Sequence, residues 1–479
     1  MENVCRIALG ALLLNLCACS GQEPPPLAPS ESPAPVAAQS MPKPDALDDS
    51  QIDAIVRHSY PFVAMYNVNN KFALKQGWNN CVADTVLKDA TMTDIARPNN
   101  DTLYISCMLD LRAEPVIIEF PAFESKYVSL MVTGYDHYVN VPLSVTKGDF
   151  HTPGKVLFYT SRTAGYEGAP VDGIDQNFEM TGDFVSAVFR VMPHANEPER
   201  FARIIEQMKS VEARGLSEFK GDPAKPLQDP GFPQVGQTDS DVYANNFPQV
   251  LQFAINHSTL DPNDPVDQQL LAALAPMGIA PGNPYDPVQI HGYDGTRFRN
   301  IADKIRQEEF SRMLDGNSMN ALLPRMFRTR GHIDADTLLF QSVVGPIGLP
   351  ASEAVYPAIL TDDGEVMNAL NDYVIQMARD QLPPARAFWS VTLYDSANGF
   401  FIPNERKKYS VGENGGMKLD AEGGITIHIA AEKPEGVPEK NWLPIVRKDQ
   451  DLDVIMRIYD PDLDAFAHYE LPKAQKISE

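Results

Sequence analysis

The sequence predicts a mainly β protein with a helical segment in its middle, the β parts being of sandwich or jelly-roll type. Three observations carry that expectation. Runs rich in β-branched and aromatic residues, such as Val116-Ile117-Ile118-Glu119-Phe120 and Phe184 to Met192, are punctuated by Gly and Pro, as sheet strands are. From Asn196 the apolar residues fall at helical spacing instead, with Phe201, Ile204, Ile205, Met208 and Val211 on one face. From about Gly331 short strands return with Gly, Pro and Asn turns. That texture favours a sandwich or jelly roll over a parallel α/β sheet.

The elements are taken in chain order. Residues 1–18 read as a signal peptide: Ile7 to Leu16 is an apolar run too short to span a bilayer as a mature helix. Leu16-Cys17-Ala18-Cys19 follows and resembles the lipobox of bacterial lipoproteins. Small residues are needed there because the peptidase grips an extended backbone beside a narrow pocket. Cys19 is thus the candidate lipidation site. Ser20 after it resembles the pattern for release to an outer membrane, facing the periplasm, in a host that has one. A single Arg6 opposed by Glu2 is a weak cationic start; an uncleaved buried helix and a plain secretory leader are the alternatives. Residues 19–46 hold Pro24-Pro25-Pro26, Pro29, Pro33, Pro35 and Pro42 and read as an extended stalk that cannot bury a core. The expected address is therefore the cell envelope, with the membrane as a partner through the lipid.

Residues 47–192 read as an N-terminal β domain, opened by a helical pattern from Ser50 to about Leu74 that Pro61 interrupts. Residues 193–330 read as the helical segment. Its first helix is expected to be capped by Asn196, to carry Pro198 in its first turn and to stop at Gly215. Further helices are expected at Phe247 to Asn256, Val266 to Leu274 and Phe298 to Leu314. Residues 331–479 read as the C-terminal β domain. There the strict alternation of Ile425-Thr426-Ile427-His428-Ile429 gives a sheet with one buried face.

Five cysteines and the export signal sharpen one another. With Cys5 and Cys17 in the leader and Cys19 lipidated, Cys81 and Cys107 remain as a candidate disulfide in an oxidising compartment. Closing that loop is worth about 3.5 kcal/mol in the chain-entropy model; two separately buried thiols are the alternative. A formal net charge of −24 repels phosphate backbones and argues against nucleic acid as a partner. No Gly-x-Ser-x-Gly, His-Glu-x-x-His, phosphate loop or dinucleotide fingerprint occurs in the sequence. No Cys/His metal spacing occurs either, and acidic turns such as Asp449 to Asp453 lack the twelve-residue calcium pattern. No cofactor and no metal is indicated.

Two polar clusters stand out. Arg97-Pro98-Asn99-Asn100-Asp101-Thr102-Leu103-Tyr104 leads into an apolar strand. Asn and Asp in such places commonly bend the chain by bonding their own backbone. The alternative is that Arg97, Asn99, Asn100, Asp101 and Tyr104 present charge, amides and a hydroxyl to a ligand. Tyr135-Asp136-His137 is a second polar-aromatic group. In the C-terminal part, Arg386-Ala387-Phe388-Trp389-Ser390-Val391-Thr392-Leu393-Tyr394-Asp395 is followed by Asn404 and by Asn441-Trp442. As a strand it places Phe388, Ser390, Thr392 and Tyr394 on one face and Trp389, Val391 and Leu393 on the other. Trp389 then fills a core, or the aromatic-and-amide surface receives a sugar or another flat ligand.

The run Arg97 to Leu111, with Tyr127 to Leu130 and Phe184 to Met192, resembles the bacterial family known as domain of unknown function 1254. Pro383 to Asn404, with Tyr409 to Gly412 and Asn441 to Pro444, resembles its usual partner, domain of unknown function 1214. The resemblance implies an N-terminal immunoglobulin-like sandwich, a helical middle and a C-terminal jelly roll, and implies no reaction. Cys107 departs from the pattern where a small residue is expected. Tyr135-Asp136-His137 replaces a more usual Asp-aromatic-Thr-Asn run, and Asp362 to Met377 reads as helical where strands are expected.

Three functions fit the residues. The first is a protein that binds a small or carbohydrate-like ligand between the two β domains, through Arg97, Asn99, Asn100, Asp101, Tyr104, Tyr135, Arg386, Trp389, Tyr394, Asn404, Asn441 and Trp442. The second is a hydrolase or lyase in the same cleft, with Asp101, Tyr104 or His137 as acid and base. The third is an envelope protein that docks a protein partner.

Overall fold

The computed structural model describes residues 46–93, 97–314 and 321–477. The signal peptide, Cys19 and nearly all of the Pro-rich stalk lie outside the described residues.

Helix α1 (Asp49–Gln76) begins at a reciprocal cap. Asp48 accepts from the Gln51 backbone N–H, and the Gln51 side chain accepts from Asp48 N, so two end donors are satisfied at once. Pro61 does not interrupt it. An internal proline costs about 3 kcal/mol, but the turns around it bury Tyr60, Phe62, Val63 and Tyr66 completely or nearly so. Burial of that apolar surface outweighs one lost hydrogen bond.

Strands β1 (Asn80–Asp84), β2 (Leu103–Asp110), β3 (Val116–Phe120), β4 (Val128–Thr133), β5 (Val139–Ser144), β6 (Gly154–Tyr159), β7 (Gln176–Glu179) and β8 (Phe184–Val191) follow. After α2 (Pro198–Lys209) comes β9 (Glu212–Gly215). They form two sheets, ordered β1-β2-β8-β4-β5 and β7-β6-β3-β9, that share one apolar core including Ile105, Val116, Ile118, Phe158 and Phe189. Helix α2 adds Ile204 and Met208 to that core. It starts after Glu197 rather than Asn196 and ends at Lys209; Gly215 closes a strand. Cys81 faces Cys107 in the β1–β2 register and the two form a disulfide, with Cα atoms 4.1 Å apart.

Helices α3 (Leu216–Phe219), α4 (Asp239–Asn245), α5 (Phe247–Asn256), α6 (Pro265–Leu274), α7 (Gly295–Leu314) and α8 (Ala335–Val344) come next. Helix α1 joins α4 to α8 in a second core, with Val56, Tyr243, Phe247, Leu251 and Phe298 at its centre.

The last region holds β10 (Ala354–Val355), β11 (Met367–Asn368), β12 (Asp372–Met377), β13 (Ala385–Asp395), β14 (Ser410–Gly412), β15 (Ile425–Ala430), β16 (Trp442–Pro444), β17 (Asp451–Pro461) and β18 (Ala474–Ile477). One sheet runs β10-β17-β13-β14 with β11 also on β17, the other β16-β15-β12-β18. Trp389, Val391, Ile427, Met456 and Ile458 lie in the core they share. Asp362 to Met377 is not helical. Tyr373, Ile375 and Met377 alternate inward from β12, a period of two that holds for only six residues. Helix and strand occur in comparable amounts; the chain is mixed, with several sheets, and much of its helix lies in the helical body that α1 and α8 join. Among the described residues no helix is long and apolar enough to cross a membrane.

Candidate binding site between the two β units

The long antiparallel pair β13–β17 has two unlike faces. Trp389, Val391 and Leu393 enter the core behind it. The other face carries Phe388 opposite Tyr459, Ser390 opposite Arg457 and Tyr394 opposite Asp453. That second face meets the first β unit. Tyr459 stacks on Phe388 with ring centroids 4.1 Å apart, and Tyr127 of the first unit lies 5.4 Å from Tyr459. The Tyr127 hydroxyl donates to Glu353, which also receives Lys147.

The loop entering β2 lies along this contact. Arg97, at φ +54°, pairs its Nε with Asp453 Oδ2 at 2.6 Å. The Tyr394 hydroxyl donates to Pro98 O at 2.8 Å, and Asn99 Nδ2 donates to the Tyr459 hydroxyl at 3.0 Å. Asp101, 1% exposed, accepts from Ser390 Oγ at 2.6 Å and from the Tyr459 hydroxyl at 3.4 Å. Burial raises its carboxyl above the usual carboxylate range; the charge of Arg457 and those two hydroxyls oppose the shift. Asn99 also bends the chain, accepting from Asp101 N at 2.7 Å, so the backbone-bending and presenting roles of this cluster coexist.

Two arginines complete the seam. Arg457, 7% exposed, donates from Nη2 to the Tyr394 hydroxyl at 2.6 Å and to Arg97 O at 3.0 Å. Burial works against its charge, but Tyr394, Tyr459 and Asp101 hold it protonated, well above the ordinary arginine range. Burial also pushes the Tyr394 hydroxyl up to about 12. Arg190, 3% exposed, stands beside Tyr104 and Ser129 in the β2-β8-β4 register and donates from Nη2 to Ile347 O at 2.6 Å. Four buried atoms here have no hydrogen-bond partner among the described residues: Asn100 Oδ1, Ser129 Oγ, Arg190 Nη1 and Arg457 Nε. Above them Tyr104 and Tyr356 are only half-buried, with Arg190 5.6 Å from the Tyr104 ring and Arg457 5.2 Å from the Tyr356 ring. The result is a closely packed polar contact in which buried donors and acceptors are left without a protein partner among the described residues.

Six of the twelve candidate ligand residues meet here: Arg97, Asn99, Asn100, Asp101, Tyr104 and Tyr394. The other six are held elsewhere. Arg386, whose side chain is 59% exposed, faces Asp460 and Asp462 at the far end of β13. Eight residues separate it from Tyr394, roughly 25 Å of strand. Trp389 points into the core behind the sheet. Tyr135 is buried against Tyr66 and Phe184, its hydroxyl taken by Asn70. Asn404 closes a turn on Ile402 O and Lys408 O. Asn441 bridges the backbones of Lys418 and Thr426, and the Trp442 indole donates to Ala430 O. His137 is bonded to Ser342 Oγ and Pro346 O, away from Asp101, so those two do not form an acid–base pair. Sequence reasoning missed Arg190 and Arg457. Each is the one cation in a fully buried or nearly buried strand, Phe184–Val191 and Asp451–Pro461, and that isolation was the available signal.

An open surface cavity of about 440 Å³ is edged by Lys147, Arg325, Arg328 and His332. Its cations are already engaged: Lys147 with Glu353, Arg325 with Asp334 and Arg328 with Pro324 O. The contact between the β units, where buried polar atoms are bare, is the stronger candidate. Among the described residues no group of His, Cys, Asp or Glu is arranged to hold a metal.

Fold and site together define a class: two sheet-built units joined across a buried polar contact, with a helical body beside them. Residues 79–211 match the family described as protein of unknown function DUF1254, and residues 353–463 match DUF1214, in that order. The chain belongs to the family that these two domains define. The crystal structure of the VPA0106 protein from Vibrio parahaemolyticus has the same fold, with a TM-score of 0.67 at 22% identity over 90% of this chain and 100% of that one. An uncharacterized protein from Burkholderia cenocepacia aligns at a TM-score of 0.42 and 13% identity, over 90% of this chain and 93% of that one. No curated protein matches the sequence.

Proposed function

We propose that this chain is an exported, lipid-anchored envelope protein that binds a small polar or carbohydrate-like ligand at the polar contact between its two β units. The observation that carries the binding reading is that Asn100 Oδ1, Arg190 Nη1 and Arg457 Nε, on elements that meet at this contact, are buried and bare among the described residues. Buried polar atoms are normally paired, and each bare one costs about 1–3 kcal/mol. A ligand with complementary groups removes that cost. Leu16 to Cys19, Ser20 and the Pro-rich stalk support attachment at the outer membrane, facing the periplasm, and the Cys81–Cys107 disulfide suits an oxidising compartment. Two pairs of sheets, each pair sharing one core, support the immunoglobulin-like and jelly-roll readings.

A thermal-shift screen of the full chain against sugars, short esters, aromatic acids and divalent metals tests the binding reading, since a ligand of the folded state raises the melting point by mass action. Tyr104→Ala is expected to abolish the shift while leaving the circular dichroism spectrum unchanged. A ligand whose shift survives Tyr104→Ala binds elsewhere. For the anchor, Cys19→Ala should move the protein from the membrane to the soluble fraction; unchanged partitioning removes the anchor.

A further inference from the structure

The open cavity of about 440 Å³ has a chemistry unlike the rest of the molecule, and its size is that of a small-molecule site. Of the ten described residues that line it, Lys147, Arg325, Arg328 and His332 are basic and none is a carboxylate. The chain as a whole carries 64 acidic against 40 basic residues, so this wall reverses the composition around it. The loop that supplies the arginines is held in place. Phe327, between them, stands at φ +54°, a conformation that is costly for a bulky residue and persists only where its surroundings impose it. Its N–H donates to the buried Gln341 Oε1 at 2.6 Å, and its ring fills the space that a side chain on Gly348 would need. The Arg328 carbonyl accepts from Val139 N at 3.1 Å, which ties the loop to β5. Asp334, the partner of Arg325, is itself fixed as the cap of α8, accepting from Thr337 N at 2.8 Å.

Engagement does not exhaust these cations. A guanidinium has five N–H groups. Among the described residues Arg325 commits Nη2 to Asp334, and Arg328 commits Nε and Nη2 to Pro324 O and meets no carboxylate. The Arg325 side chain is 53% exposed. We infer that this cavity takes a small organic phosphate, at a ligand site separate from the contact between the β units. Arg325 and Arg328 donate to the phosphate oxygens, Lys147 adds charge from the turn after β5, and Thr329 and Ser352 bring hydroxyls. Five donor-bearing side chains exceed the roughly four lone-pair sites of a carboxylate, whereas a phosphate monoester offers three terminal oxygens and close to two charges. Val139, Phe327 and Pro350 supply an apolar floor for the organic body.

The test uses phenyl phosphate as probe on the full-length protein, with phenol as its neutral counterpart, benzoate as the carboxylate and inorganic phosphate as the anion without a body. Phenyl phosphate is expected to raise the melting temperature in a concentration-dependent way, inorganic phosphate less so, and phenol and benzoate not at all. Titration calorimetry should show its affinity falling about tenfold in Arg328→Gln, as loss of a charged hydrogen bond does. Affinity should be unchanged in Lys209→Gln, which removes an exposed cation of α2. The phenyl phosphate–phenol comparison on the unaltered protein is the measurement that holds if Arg328→Gln fails to fold. Equal shifts from phenyl phosphate and phenol, tighter benzoate than phenyl phosphate, or equal affinity in the folded Arg328→Gln protein overturn the proposal. A phosphate shift that survives Tyr104→Ala and is lost in Arg328→Gln places the ligand in this cavity. One lost in Tyr104→Ala and kept in Arg328→Gln assigns it to the contact between the β units and overturns the second site.

Discussion

Single residues in this chain act through burial more than through exposed charge. His137 is completely buried, bonded to Ser342 Oγ at 2.7 Å and to Pro346 O at 2.8 Å. Burial lowers its pKa from 6.5 to about 4, with the Pro346 carbonyl opposing. The unfolded chain takes up a proton near pH 6.5, and the folded chain resists it down to about 4. The stability this residue contributes is therefore whole above about pH 6.5 and is lost as the pH falls towards 4, up to about 3 kcal/mol. His137→Gln keeps hydrogen bonding and removes the titration, so urea midpoints at pH 4.5 and 7 should lie closer together than in the parent; an unchanged gap would contradict this. The sequence made the residues of the Arg97 to Tyr104 loop legible because Asn, Asp and Arg are conspicuous beside an apolar strand. It left Tyr135 and Trp389 ambiguous, since an aromatic in a strand serves a core or a surface equally well. Which side it faces depends on where the second sheet lies, and no local pattern contains that.

At the scale of elements, strand β1 forms the edge of its sheet. It is held by one neighbour and by the Cys81–Cys107 bridge. Reduction, or Cys81→Ser with Cys107→Ser, should lower stability by about 3.5 kcal/mol for a separation of 26 residues. Urea unfolding with and without reductant measures this, and no difference would mean that the bridge constrains nothing the strand pairing does not. Strands of six or more residues were readable from the sequence, β8 and β13 by their β-branched and aromatic runs and β15 by its alternation. The short ones were not: β10, β11 and β14 span two or three residues, too few for a period to show. Helix α1 was legible but its passage through Pro61 was not, because what sustains it is packing against helices more than a hundred residues later.

For the molecule as a whole, the contact between the β units is a shared interior: Tyr127 of one unit meets Phe388 and Tyr459 of the other. The two units are therefore expected to unfold in one calorimetric transition, and Tyr459→Ala should lower it as loss of a buried ring does, by about 3–5 kcal/mol. Two resolved transitions in the parent protein would contradict that coupling. The order of the domains was legible from two strings of residues; their mutual placement was not, since Asp101 and Ser390 lie 289 positions apart. The acidity of the chain also bears on kinetics. At a net charge of −24, the chain repels any anionic ligand that approaches from solution. Salt screens that outer field over about 10 Å at 0.1 M and reaches buried pairs far less. Association of such a ligand should therefore speed up as salt is added, the reverse of ordinary electrostatic steering. Stopped-flow rates across ionic strength would show the slope.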